Sequence, residues 1–171
     1  MNDVDSVNFA LLIIRLGLGS VMLAHGIRHI FGGGKIAGTG RWFASLGMKP
    51  GIVHAWVASL TEVGAGISLV LGFLTPLGAA GVVGTMLVAF VTNHFRNGFF
   101  IFNKGEGYEY VMTLTIVGLA MSALGGGKWS VDHLIHLHWT HKTGLMIGGI
   151  GVAGALLLLA GFWRRPPQTQ A

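Results

Sequence analysis

The sequence predicts an all-α integral membrane protein, and three observations carry that class. Of the 171 residues, 52% are hydrophobic and only 10% charged, against about 25% charged in an ordinary soluble domain. Too few polar side chains remain to cover a water-facing surface. Mean hydropathy is +0.67. The apolar residues are also gathered into long runs, as a spanning helix of about 20 residues requires. The length suits one domain. With no cysteine, the chain can form neither disulfides nor thiolate-bound cofactor sites.

Five runs qualify or nearly qualify as spans: Phe9–Phe31, Ile52–Phe73, Leu77–Phe95, Tyr110–Leu124 and Gly144–Trp163. The first follows MNDVDSVN, which lacks the positive stretch of a cleavable signal, so it reads as a span. The second and third are joined by Leu74-Thr75-Pro76, with proline placed where a first helical turn tolerates it, and so form an antiparallel hairpin. The fourth is short and needs Glu109 or a local thinning of the bilayer to complete it. Before the fifth stands HLIHLHWTHK, where His133/His136 and His138/His141 are three residues apart and would face each other on a helix. Flanked by Trp129 and Trp139, it reads as an amphipathic segment at the lipid interface, with adventitious metal binding as the alternative. Gly32-Gly33-Gly34 lacks the Gly-Lys-Ser/Thr sequel of a phosphate loop and reads as a flexible connector.

The 29 glycines are more than twice the ordinary share of about 7% and follow no Gly-X-Y period. In lipid, small residues let helix backbones approach closely. Their four-residue spacing at Ser20/Ala24, Gly64/Ser68/Gly72, Ala80/Gly84 and Gly144/Gly148 predicts a compact bundle.

The net charge is +5, yet Lys and Arg stand singly at the ends of apolar runs, with no basic cluster of the kind that binds nucleic acid. Five spans put Arg28, Lys35, Arg41, Lys49, Arg96, Lys104, Arg164 and Arg165 on one side and Lys128 and Lys142 on the other. The excess of positive charge marks the cytoplasmic side. The N-terminus is therefore expected outside, and the two long loops and the C-terminus inside.

Ionisable groups at membrane depth are expensive and informative. Counting from the span starts puts Glu62 near the midplane and Arg15 within roughly 8 Å of it. This predicts a structural Arg15–Glu62 ion pair, with a proton-handling or ligand-binding Glu62 as the alternative. His25 and His29 share a face one turn apart, and Arg15, Met22 and His29 form a polar stripe. Because successive spans alternate in direction, His94, Asn97, Glu106, Tyr108 and Glu109 are expected in the same layer as His25 and His29. Such a layer can hold zinc or non-haem iron, for which His25, His29 and His94 are the candidates. It can also ligate haem, or bind a quinone with a carboxylate as proton relay. Equally, it can be a hydrogen-bonded polar rim.

LLIIRLGLGSVMLAHGIRHIFGG, WFASLGM, WVASLTEVGAGISLVLGFLTPLGA, HFRNGFF and GYEYVMTLTIVGLAMSALGGGKWSVD follow one another from Leu11 to Asp132. In this ordered set the chain resembles the DoxX family of small bacterial membrane proteins. The resemblance implies an antiparallel four-helix transmembrane bundle over residues 1–132. To it are appended a His-rich interfacial segment (133–143), a fifth transmembrane helix (144–163) and a short basic tail (164–171), on which the family is silent. The family's recurring polar positions match Arg15, His25, Glu62, His94, Asn97, Tyr108 and Glu109. Where His29 stands, the family usually has a basic or amide residue.

The family's name comes from association with terminal quinol oxidases and thiosulfate:quinone oxidoreduction. The resemblance therefore implies a redox-associated subunit of the bacterial inner membrane, with quinone as the expected ligand ahead of haem or metal. Its candidate ligand or proton-relay residues are His25, Glu62, His94, Asn97, Tyr108 and Glu109. Expected partners are the lipid bilayer and a redox enzyme or other membrane protein, with a homo-oligomer as a further option and no nucleic acid. The alternative functions are a non-catalytic structural or assembly subunit and, third, a small-molecule or lipid transporter using the Arg15–Glu62 interior. In the quinone reading the apolar tail is expected to lie among Met22, Met86 and Phe90.

Overall fold

The computed structural model describes residues 3–166. Four helices are long and apolar enough to cross a membrane, and a shorter apolar helix accompanies them. Among the described residues there is no strand, only an isolated bridge between Met48 and Trp163.

Helix α1 (Asp3–Phe31) opens on Asp3 and Asp5 and closes on Arg28 and His29, charges that suit the two ends of a helix dipole. At 1.5 Å per residue its 29 residues extend about 44 Å, longer than the hydrocarbon layer, so α1 tilts or projects from it. α3 (Gly51–Leu71) ends at Gly72, whose φ of 66° is the left-handed cap that glycine adopts without strain. α4 (Thr75–Ala89) starts at once, with Pro76 in its first turn, and the hairpin read from the sequence is formed. α4 continues through a π turn, Phe90–His94, and a 3-10 turn, Phe95–Asn97. α5 (Glu109–Leu124), where the short fourth span was expected, is an apolar helix of 16 residues, about 24 Å. α7 (His141–Phe162) runs back and packs against α4 and α5.

The core joins α1, α3, α4 and α5 through Leu11, Leu18, Met22, Ala65, Leu69, Val82, Met86, Val111 and Met121. The closest approach of α1 to α3 is made by glycines other than those the spacing picked out. A Cβ at Gly19 would stand 2.9 Å from the Gly66 carbonyl oxygen, and one at Gly26 would stand 2.9 Å from that of Ser59. Gly64, by contrast, faces open space, and Ser20 and Ala24 are exposed. Gly84 and Gly148 do lie at contacts, with Gly151 and Ser122.

Two segments between the long helices are ordered. The stretch after the glycine triplet forms α2 (Lys35–Ser45), which packs on α1 and α3. The stretch 125–140 closes over the α3–α4 turn. Its Asp132 is buried, and the carboxylate accepts from the Leu74 and Thr75 N–H groups, the Thr75 hydroxyl and the Trp139 indole at 2.7–3.2 Å. The His-rich segment is not one amphipathic helix. Helix α6 spans only Val131–Leu134, and His136 has a φ of 56°, so the two three-residue histidine spacings do not fall on a common helical face. Of the basic tail, 164–166 is described; 167–171 lies outside the described residues.

Candidate functional site

Alternating helix direction gathers the end of α1, α2, the start of α3, the end of α4, the start of α5 and the end of α7 on one face. Beneath it is a cavity of about 550 Å³, lined by α1, α2, α3, α4, α5 and α7. Its wall surface is mostly apolar, with His25, His29, His54, Glu62 and His94 among the polar residues that line it.

The central pair is His29 and Glu62. Nδ1 of His29 stands 2.9 Å from Oε2 of Glu62, and the Glu62 side chain is almost fully buried. The contact lacks the alignment a hydrogen bond needs. Both groups therefore keep hydrogen-bonding capacity for a third partner. Trp42 and Phe43 of α2 hold the imidazole, with ring centroids 6.1 and 5.8 Å away.

The structure does not bring Arg15 to Glu62. The guanidinium is buried and donates to the carbonyls of Leu69 (3.0 Å), Val70 (3.3 Å) and Trp129 (2.5 Å), and the Asp132 carboxylate acts on it through space. The register explains the correction. Gly19 faces Gly66 and Val70, and Gly26 faces Ser59 and Val63. Arg15 therefore lies level with the end of α3, and Glu62 lies level with the C-terminal half of α1. The two are some ten residues apart in level, roughly 15 Å. Counting each span from its own start missed this offset.

His94 is carried into the cavity lining by the π turn, a departure that shifts side-chain direction and is often found at functional sites. Its Nδ1 donates to the Glu106 carbonyl (2.9 Å), which leaves Nε2 to accept from the Asn93 amide (3.2 Å). His25 lies at an opening of the cavity beside Tyr110, ring centroids 6.3 Å apart. Three expected members of the layer have other work. Asn97 donates to the Glu106 carbonyl at 3.0 Å and to those of Asn93 and Gly105. Glu109 accepts from the Ile101 N–H at 2.8 Å. Tyr108 packs among Phe90, Phe95 and Phe99. All three fold the loop 98–108 instead of lining the cavity. Tyr110, two residues on, points about 200° round the helix from Tyr108, and it is the tyrosine that does line the cavity.

The candidate metal ligands His25, His29 and His94 are not gathered. Among the described residues, no three of His, Cys, Asp or Glu are placed to hold a metal ion together. His54 was not singled out in the sequence. It is buried in the lining with neither ring nitrogen hydrogen-bonded, its ring 5.1 Å from that of Phe162. The signal was available: His54 and Glu62 are eight residues apart, which puts them about 80° apart round the helix. Of the tail-binding residues expected, Met86 lines the cavity, Met22 is fully buried in the core, and Phe90 packs on Tyr108.

A sequence profile of the DoxX family matches residues 10–95, from α1 to the end of the π turn. The inner membrane protein YqjF of Escherichia coli (strain K12) is 35% identical over 117 residues, 63% of this chain and 82% of that relative. No solved structure matches.

Proposed function

Because this chain belongs to the DoxX family, and so is an integral membrane protein, we propose that it is a redox-associated subunit that binds a quinone-type molecule in the cavity. The observation that supports this reading is the buried His29–Glu62 pair, with unspent hydrogen-bonding capacity, in the wall of a largely apolar cavity at membrane depth. A quinone has two ring oxygens that accept hydrogen bonds and a hydrocarbon tail that needs apolar walls. When a partner redox protein supplies two electrons, the quinone takes up two protons, and a His–carboxylate pair is suited to pass them. The chain itself has no cysteine and carries no motif for a covalent electron carrier, so an electron carrier is non-covalent or resides in a partner, and in this reading the chain binds the quinone and delivers protons. By its likeness to YqjF, it is assigned to the bacterial inner membrane.

The test is to purify wild type, His29→Ala, Glu62→Gln and His94→Ala from membranes. Bound quinone, absorbance in the haem Soret region and metal content are then measured. Each lost hydrogen bond is worth about 1 kcal/mol, so His29→Ala and Glu62→Gln should weaken quinone binding about fivefold to tenfold. His94, already engaged by Glu106 and Asn93, should matter less. A Soret band or stoichiometric metal lost in a variant would replace quinone with haem or metal. Wild type carrying none of the three would leave the non-catalytic structural subunit as the function.

A further inference from the structure

The cavity does not end at its polar groups. Its lining also includes Val57, Ala58 and Thr61 of α3 and Ile150, Gly154 and Leu158 of α7, so it extends between these two helices. The two helices are fastened at one end only. There the His54 ring meets Phe162, the Trp163 indole donates to the Leu46 carbonyl at 2.9 Å, and the Lys49 and Arg164 N–H groups donate to Phe162 and Gly47. Towards mid-membrane, α3 and α7 make almost no contact, although both line the cavity. The rim is exposed there, Val57 by 45% and Ile150 by 68%.

We propose that this gap is a lateral window to the bilayer and the seat of a hydrocarbon chain, the tail of the ligand whose head lies at Glu62. The inference extends the quinone reading, and it commits to a chain-bearing amphiphile from the membrane as the occupant. The chemistry of the window selects that occupant. None of its six residues is ionisable, and it runs from one turn inside the fastened end to the middle of both helices, where hydrocarbon surrounds the protein. The ionisable lining groups, Glu62 and His29 among them, lie outside it, and Thr61 supplies its one hydroxyl. A molecule with one polar end and one apolar chain matches that gradient, whereas a charged solute would find nothing to replace its hydration. α7, which forms one side, lies outside the residues matched to the family. The tail subsite is thus a feature of this chain's own fifth span. It also takes the place of the expected tail path among Met22, Met86 and Phe90.

Gly154 provides the lever. A Cβ built there meets nothing within 4 Å, so a side chain can be introduced at this lining position without a backbone clash at its first atom. Gly149 also faces open space but does not line the cavity, and it serves as the control. The probe is a C16 fatty acid with a diazirine at its chain end, carried in phosphatidylcholine vesicles holding the purified protein. After illumination, labelled residues are mapped by peptide mass spectrometry.

Wild type should be labelled at Ala58, Thr61 and Thr85 as well as at the outward Leu157. Gly154→Phe should reduce the interior labels at least fivefold and leave Leu157 within twofold, while Gly149→Phe should change neither. Wild type labelled only on outward residues overturns the window, and that result needs no variant to fold. Interior labels that persist in a folded Gly154→Phe, or that fall equally in Gly149→Phe, overturn it as well. So do crosslinks between two copies across the gap in place of fatty acid, which would make it a homo-oligomer interface. Interior labelling without bound quinone overturns the quinone reading alone. Bound quinone without interior labelling overturns the window alone.

Discussion

Arg15 shows how a single buried charge is held in a membrane helix bundle. α3 ends at Gly72, and its last carbonyls lack the N–H four residues on that a continuing helix would supply. The guanidinium supplies donors to Leu69 and Val70 there, and to Trp129 across the 125–140 segment. Asp132, on that same segment, caps the start of α4 and gives the nearby negative charge. Arg15→Met should therefore destabilise the protein on the order of 3 kcal/mol, the usual consequence of breaking a buried charge network. The loss is read as a lower unfolding temperature in detergent. Combined with Asp132→Asn, the loss should be clearly less than the sum of the two single losses, because both act on one network. Combined with Glu62→Gln, the losses should add, because those sites are well separated. Non-additivity with Glu62 and additivity with Asp132 would restore the ion pair expected from the sequence.

At the scale of elements, the α1–α3 interface is set by Gly19, Gly26 and Gly66. A methyl at Gly26 would meet the Ser59 carbonyl at 2.9 Å and the Val63 side chain at 2.7 Å. The backbone cannot yield as a side-chain tip can, so Gly26→Ala should cost about 1–3 kcal/mol through overpacking. Gly64→Ala, on the open side of α3, should stay within about 0.5 kcal/mol of wild type. Thermal unfolding of the two variants in the same detergent decides between them. Since this interface also sets the level of Glu62 against α1, Gly26→Ala should disturb the His29–Glu62 contact too. The four-residue small-residue spacing found the α4–α7 and α5–α7 contacts but not this one. Period alone does not say which side of a helix meets protein and which meets lipid, as both are apolar here.

For the whole molecule, the fold gathers the basic residues onto one face. Arg28, Lys35, Arg41, Lys49, Arg96, Lys104 and Arg164 lie with the long loops, and Lys128 and Lys142 lie at the opposite face. By the positive-inside tendency, we propose that the cavity lies beneath the cytoplasmic face. Having no cysteine, the chain suits single-cysteine mapping. In intact cells with a permeabilised outer membrane, a membrane-impermeant maleimide should label Lys128→Cys and spare Lys104→Cys until the inner membrane is broken. The reverse pattern would invert the molecule and place the cavity under the outer face.

What the sequence determined by itself was everything fixed by composition and by position along one helix. The apolar runs gave the spans, Leu74-Thr75-Pro76 the hairpin, the rarity of charge at depth the importance of Arg15 and Glu62, and the alternation of direction the common level of His25, His29 and His94. What only the tertiary structure decided was which of these groups meet. Periodicity fixes a side chain's angle round its own axis but not the axial offset between two helices. Here that offset comes from backbone approach at Gly19, Gly26 and Gly66 and from α2, which takes up the connection between α1 and α3. A shift of ten residues in level separates Arg15 from Glu62 and gives Glu62 to His29. The window between α3 and α7 was hidden for the same reason: it is a gap between helices distant in sequence, and a gap leaves no residue pattern in either one.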